Sequence, residues 1–142
     1  MLKWIILRLV LVGIAAWQGW TGGDGWLPSR PISALMLAGM LAYGMVAVPV
    51  VCWAQRLNPR NNPVWHLPSW GRNPLTLRDP LQFFHMVGCL FAAAGVGVVA
   101  HAWQLGLPLR LPHAVLPAFG LGMVAGSYVS ALLFRDKLVP RS

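Results

Sequence analysis

Residues 81–105 read LQFFHMVGCLFAAAGVGVVAHAWQL, an apolar run without a single Asp, Glu, Lys or Arg. As a helix rising about 1.5 Å per residue, this run would extend about 37 Å, more than the roughly 30 Å of a bilayer's hydrocarbon core. Three more apolar stretches lie at residues 4–20, 32–54 and 113–134. The sequence therefore predicts an all-α membrane protein, with four transmembrane helices bundled into a single domain over residues 1–137.

The composition also favours a membrane protein. Of the 142 residues, 57% are hydrophobic and only 10% are charged, whereas a soluble domain carries about 25% charged residues. The basic residues stand singly between the apolar runs, a pattern that sets membrane topology and does not form a nucleic-acid-binding patch. We expect the lipid bilayer to surround the protein, and we expect no nucleic-acid partner.

Basic residues are distributed unequally among the connections. The N-terminus, the 55–80 connection and the C-terminal tail hold Lys3, Arg8, Arg56, Arg60, Arg72, Arg78, Arg135 and Lys137. The two short connections hold only Arg30 and Arg110. By the positive-inside rule, both termini and the 55–80 connection are predicted to be cytoplasmic, in a bacterial cytoplasmic (inner) membrane. Arg8, one turn inside the first helix, is expected to extend its side chain to the headgroups.

The connections predict which helices pair and where a partner binds. Two of them are short, so helices 1 and 2, and helices 3 and 4, are expected to form antiparallel hairpins. The 55–80 connection is long and contains five Pro residues, which restrict its backbone and favour a loop folded against the membrane face. Its basic and aromatic side chains are the predicted partner- or lipid-binding residues: Arg56, Arg60, Trp65, Trp70, Arg72 and Arg78. In the alternative interpretation they only set topology and anchor the interface.

Small residues recur at every fourth position in the last two helices. Residues with this spacing share one helix face and allow two backbones to approach closely. Helices 3 and 4 are therefore predicted to pack through Ala93, Gly97, Gly122, Gly126 and Ser130.

Few side chains in the predicted spans suggest chemistry. A haem or metal site would need neutral imidazoles at matching depth on facing helices, and His101 and His113 are the candidates. His85, Cys89 and Cys52 form a second loose group without a metal-binding spacing motif. Interfacial or hydrogen-bonded histidines and small buried thiols explain these residues better, so no cofactor and no metal are predicted.

Two further classes of protein are disfavoured. All three acidic residues, Asp24, Asp79 and Asp136, lie outside the spans, whereas proton-coupled transporters usually place an acid inside the membrane. An intramembrane serine hydrolase would need a base beside Ser127 or Ser130, and serine on a glycine-rich face is usually a packing residue.

The two ends of the chain call for separate interpretations. Residues 138–142 read LVPRS, which resembles an engineered thrombin site and is interpreted as a vector-derived remnant. The N-terminus is predicted to be a retained helix because Arg8 interrupts its apolar run, and Trp17 and Trp20 occupy the place of a signal-peptide cleavage site.

Abundant interaction surface and little chemistry favour a non-enzymatic accessory, assembly or anchoring subunit that binds another membrane protein or anionic lipid. The alternatives are a homo-oligomeric channel or facilitator, and a haem- or metal-binding membrane redox protein.

Overall fold

The computed structural model describes residues 1–22, 33–57, 65–108 and 110–139. It contains four long helices: α1 (Leu2–Gly22), α2 (Ala34–Leu57), α3 (Pro80–Gln104) and α4 (Leu111–Leu133). A 3₁₀ turn follows at Arg135–Lys137. Each long helix has the length and apolar character needed to cross a membrane. For the described residues, the prediction of an all-helical fold with four helices long and apolar enough to span a membrane is thus confirmed.

The helices are arranged in the order α1–α3–α4–α2. The antiparallel hairpin of α3 and α4 lies at the centre, α1 packs on α3, and α2 packs on α4. Within the described residues, α1 and α2 make no substantial contact with each other. The predicted hairpin of the first two helices is therefore wrong, whereas that of the last two is confirmed. The connection at 23–32 lies outside the described residues.

Glycine lies at all three principal helix interfaces, where two backbones come close together. At the α3–α4 interface, a methyl group on Gly88 would lie 2.7 Å from the carbonyl oxygen of Gly120. At the α2–α4 interface, one on Gly44 would lie 2.6 Å from the carbonyl oxygen of Phe119, and at the α1–α3 interface Gly19 faces the backbone of Ala94. Real side-chain carbons do not approach backbone atoms so closely, so these positions leave room only for hydrogen.

Three of the five packing residues predicted for the interface of helices 3 and 4 face other helices instead. Gly97 faces Ala16 and Trp20 of α1, whereas Gly122 and Gly126 face α2. Both central helices have a neighbour on each side, so each carries more than one face of small residues. Spacing alone cannot assign a face to a neighbour. Ala93 is half-buried and Ser130 is fully buried.

An apolar core lies at the end of the helices that carries both chain termini. Trp65 is fully buried there, and its ring meets that of Phe134 edge-on at 5.6 Å. The backbone N–H of Trp65 donates to the carbonyl oxygen of Lys137 (3.2 Å). The carbonyl oxygen of Trp65 accepts from the backbone N–H of Val139 (2.9 Å). The packed chain therefore extends two residues beyond the predicted boundary at 137. The vector origin of 138–142 stays a prediction, and 140–142 lie outside the described residues.

Candidate functional site

The 65–79 loop lies across the end of the molecule that holds both chain termini. At one side Gly71 lies against the Met1 side chain, and at the other Trp65 pairs with the C-terminal tail. We call this end, formed by Met1, residues 65–79 and residues 134–139, the loop end. The described part of the long connection thus lies at the same end of the helices as Met1 and residues 134–139, an arrangement that the predicted topology requires. Which side is cytoplasmic stays a prediction.

Gln82, in the first turn of α3, fixes the loop to the helices. Its side-chain oxygen accepts from the Ser69 backbone N–H at 3.1 Å, and from Arg8 at 3.2 Å. Its amide nitrogen donates to the carbonyl oxygens of His66 (3.0 Å) and Leu67 (2.8 Å). Gln82 is 1% exposed, and these four bonds use its ordinary donor and acceptor capacity. One side chain therefore holds the loop backbone at three residues.

Arg8 is fully buried, so the prediction that it extends to the headgroups is wrong. One terminal nitrogen donates to the carbonyl oxygen of Arg72 (3.3 Å) and to Gln82, and the other lies 3.4 Å from Nδ1 of His85. The guanidinium carbon also lies 5.9 Å from the centre of the Trp70 ring, within reach of a cation–π interaction. The loop covers Arg8. The loop and α3 supply the hydrogen-bond acceptors that headgroups would otherwise provide.

The hydrogen-bond acceptors around the Arg8 guanidinium are neutral groups. Within the described residues, no carboxylate forms an ion pair with it. A buried cation is costly unless hydrogen bonds satisfy it. Its partners come from α3 and from the loop, so the buried charge makes the two elements depend on each other.

Asp79, directly before α3, closes the loop through His66. One carboxylate oxygen accepts from the backbone N–H of His66 at 3.0 Å and lies 2.8 Å from its ring Nδ1. Burial raises the pKa of the Asp79 carboxyl, and the hydrogen bonds and charge of His66 partly oppose this rise. The neutral form of the Asp79 carboxyl is therefore favoured more in the folded protein than in the unfolded chain.

This pKa shift predicts a difference between two substitutions of Asp79. Asp79→Asn keeps an acceptor for His66 without a buried charge, so we expect its unfolding free energy to change by less than about 1 kcal/mol at neutral pH. Asp79→Ala leaves the His66 N–H without its partner and should cost about 2 kcal/mol. Equilibrium unfolding in mixed detergent micelles measures both. Equal losses in the two variants would contradict the proposed cost of the buried charge.

The structure separates the predicted loop residues into different environments. Trp70, Arg72 and Arg78 are exposed. Trp65, by contrast, is fully buried, so its expected role as a binding residue is wrong: its indole ring forms the core. Arg56, at the end of α2, pairs with Asp136 at 3.0 Å. Arg60 lies outside the described residues.

Two exposed residues of the loop were missed by sequence reasoning. Leu75 is 60% exposed and Leu77 is 70% exposed. They share the 65–79 loop with Trp70, Arg72 and Arg78, and we call these five residues the loop face. The mixture of apolar and basic side chains in residues 70–78 could have suggested this face, whereas nothing in the sequence links Gln82 to the loop.

The candidate haem ligands face different neighbours. His101 packs edge-on to Trp20 of α1, with ring centres 5.2 Å apart. Nδ1 of His113 accepts from the backbone N–H of Arg110 at 2.8 Å, at the start of α4. Within the described residues, no group of three or more His, Cys, Asp or Glu side chains is placed to hold a metal.

The remaining polar residues of the helices serve packing. Cys89 lies 4.0 Å from His85, whereas Cys52 belongs to the apolar core with Trp65. The predicted loose group of these three residues is therefore divided. The hydroxyls of Ser127 and Ser130 donate to carbonyl oxygens of their own helix, at 2.6 and 2.7 Å.

No protein-family model, curated protein or solved structure matches this chain. No function therefore comes to it by similarity, and the proposal below depends on the geometry of the loop end.

Proposed function

We propose that this protein is a non-enzymatic accessory or anchoring subunit of a bacterial cytoplasmic membrane, and that its loop face binds another membrane protein or anionic lipid. One observation carries the proposal: the loop presents exposed leucines and arginines, and hydrogen bonds from the helices hold its backbone in place. Gln82 and Arg8 bond the loop from the helix side, and Leu75, Leu77, Arg72 and Arg78 lie on the exposed side.

The chemistry of the loop face fits a surface that is both apolar and acidic. Exposed leucines lose contact with water when a partner or the interfacial layer covers them. Each Arg near an anionic surface contributes about 1 kcal/mol of attraction. Because the loop is already ordered by its bonds to Gln82, binding costs little additional conformational entropy.

The orientation belongs to the same proposal. Lys3, Arg72, Arg78, Arg135 and Lys137 are at the loop end, and the positive-inside rule places such an end in the cytoplasm. A reporter enzyme that works only outside the cytoplasm can be inserted at residue 61. Activity of this reporter would contradict the proposed orientation.

The proposal is tested with a photo-crosslinking amino acid at Leu77 in native membranes. We expect a protein adduct or an anionic-lipid adduct, reduced at least fivefold when Arg72 and Arg78 are both changed to Gln. The matched controls are the crosslinker at Trp17, which is 68% exposed near the opposite end of α1, and Arg135→Gln, at an exposed arginine outside the loop face.

The identity of the adduct separates the two kinds of partner. A protein adduct supports the accessory-subunit form of the proposal, and an anionic phospholipid adduct supports anchoring to the membrane surface. If the adducts at Leu77 and Trp17 are alike and unaffected by the arginine substitutions, the loop is a connector and the proposal fails.

The channel and the haem- or metal-binding redox protein stay predictions. No contact among the described residues favours either of them over the accessory subunit.

A further inference from the structure

The first turn of α1 continues the loop face. Gly71, in the loop, lies against the side chain of Met1, which is 85% exposed. Leu2 and Ile6 are exposed apolar residues of the same end of α1, and Lys3 is exposed between them. Because α1 is long and apolar enough to cross a membrane, exposed apolar side chains on it face lipid. We call the loop face together with residues 1–3 the interfacial surface.

The loop lies at the level of the first turn of α3. The carbonyl oxygen of Arg72 accepts from Arg8, which also bonds to Gln82 in that turn. The Trp70 ring lies beside the same guanidinium. α3 has 25 residues and is therefore about 37 Å long, so its first turn lies at the edge of a hydrocarbon core of roughly 30 Å. This is the headgroup layer, where tryptophan rings are favoured and basic side chains reach phosphates.

The exposed charges of the interfacial surface are all basic. Lys3, Arg72 and Arg78 are exposed, and within the described residues none of them forms an ion pair. The two described acidic residues at the loop end do not offset them. Asp79 is buried, and Asp136 is already paired with an arginine of α2. The surface therefore combines exposed apolar side chains with an uncompensated positive charge, which complements an anionic lipid layer.

We propose that the interfacial surface binds the anionic phospholipids of the surrounding membrane. Leu75 and Leu77 reach the upper carbons of the acyl chains. Lys3, Arg72 and Arg78 contact the phosphates. The inference depends on the proposed function of the loop face and commits that face to lipid. Lipid is favoured over a protein partner because the surface lies at the depth of the headgroups and continues onto a part of α1 that already faces lipid.

The test uses the full-length protein in bilayers of phosphatidylglycerol and phosphatidylcholine that contain a trace of photoreactive lipid. One probe is a phosphatidylglycerol with a diazirine close to the ester of its acyl chain, and the other carries the diazirine at the chain end. Peptide mass spectrometry locates the adducts. We expect the shallow probe to label residues 1–3 and 70–78. The deep probe should instead label Phe91 and Val96, which are exposed near the middle of α3.

A phosphatidylcholine with the same shallow diazirine tests the role of charge. Labelling of residues 70–78 by the phosphatidylglycerol probe should exceed labelling by the phosphatidylcholine probe at least fivefold. Changing Arg72 and Arg78 together to Gln should reduce this ratio below twofold. Arg135→Gln is the matched control, because Arg135 is exposed at the same end but outside the interfacial surface, and it should keep the parent ratio.

Two results would overturn the inference: residues 70–78 left unlabelled by the shallow probe, or labelled equally by the two headgroups. Either result is distinguishable from failure of the proposed function. If the lipid probes miss the loop while a crosslinker at Leu77 captures a protein in native membranes, the inference fails and the proposed function holds with a protein partner. If neither lipid nor protein is captured at the loop, both fail.

Discussion

Replacing Gly120 with alanine should destabilise the protein by about 3 kcal/mol, because the added methyl group would overlap the backbone of α3. It would collide with the backbone nitrogen of Ala92 and lie 2.6 Å from the carbonyl oxygen of Gly88. Backbone atoms cannot rotate away as a side chain can, so the central hairpin would have to separate. Equilibrium unfolding in mixed detergent micelles, followed by circular dichroism, measures the loss.

Gly39→Ala is the control for this substitution. A methyl group on Gly39, in α2, would meet no atom within 4 Å. The same chemical change there should be neutral, or should stabilise by about 0.5–1 kcal/mol through reduced backbone entropy. Equal effects at Gly120 and Gly39 would show that the α3–α4 interface is not as close as the structure has it.

Replacing Gln82 with leucine should release the loop and cost about 4 kcal/mol, since buried polar groups left without a partner each cost about 1–3 kcal/mol. The variant would remove the side-chain oxygen that accepts from Arg8 and from the Ser69 backbone N–H, and the amide nitrogen that donates to the carbonyl oxygens of His66 and Leu67. Arg8 would suffer most because it carries a charge. Hydrogen exchange of the backbone amides is the direct measurement, and Ser69 and Arg72 should lose protection before the helices do.

Gln104→Leu provides the comparison. Gln104 is exposed at the far end of α3, so the same substitution there should leave the exchange of residues 65–79 unchanged. If Gln82→Leu also leaves that exchange unchanged, the loop is held by other contacts, and the ordered loop face loses its physical basis.

The spans could be predicted from sequence because hydrophobicity is a local property. The predicted run 81–105 corresponds to Pro80–Gln104, and 113–134 corresponds to Leu111–Leu133. The order in which the helices pack depends on contacts between residues that are far apart in the sequence. Glycines at helical spacing indicate close packing, but Gly97 and Gly95 are two residues apart and face different helices, α1 and α4.

The site was harder to predict because its contacts join distant parts of the chain. Arg8 meets Gln82 across 74 residues of sequence, so a pattern in the first helix could indicate an arginine near the interface but not the polar cover above it. Trp65 is similar. Its position in a long connection rich in Pro and Arg suggested a ring at the membrane interface. The backbone of Trp65 pairs with Lys137 and Val139, and this pairing places the ring in the core.

The helix order has a consequence for how the protein is made. α1 packs on α3, and α2 packs mainly on α4, so each of the first two helices leaves the ribosome before its principal partner exists. An inserted intermediate with only α1 and α2 has no native helix interface. Arg8 likewise enters the membrane before Gln82 and the loop are synthesised, and it has no native hydrogen-bond acceptor at that stage. Assembly of the native contacts therefore begins with the third helix, and α2 must wait for the last.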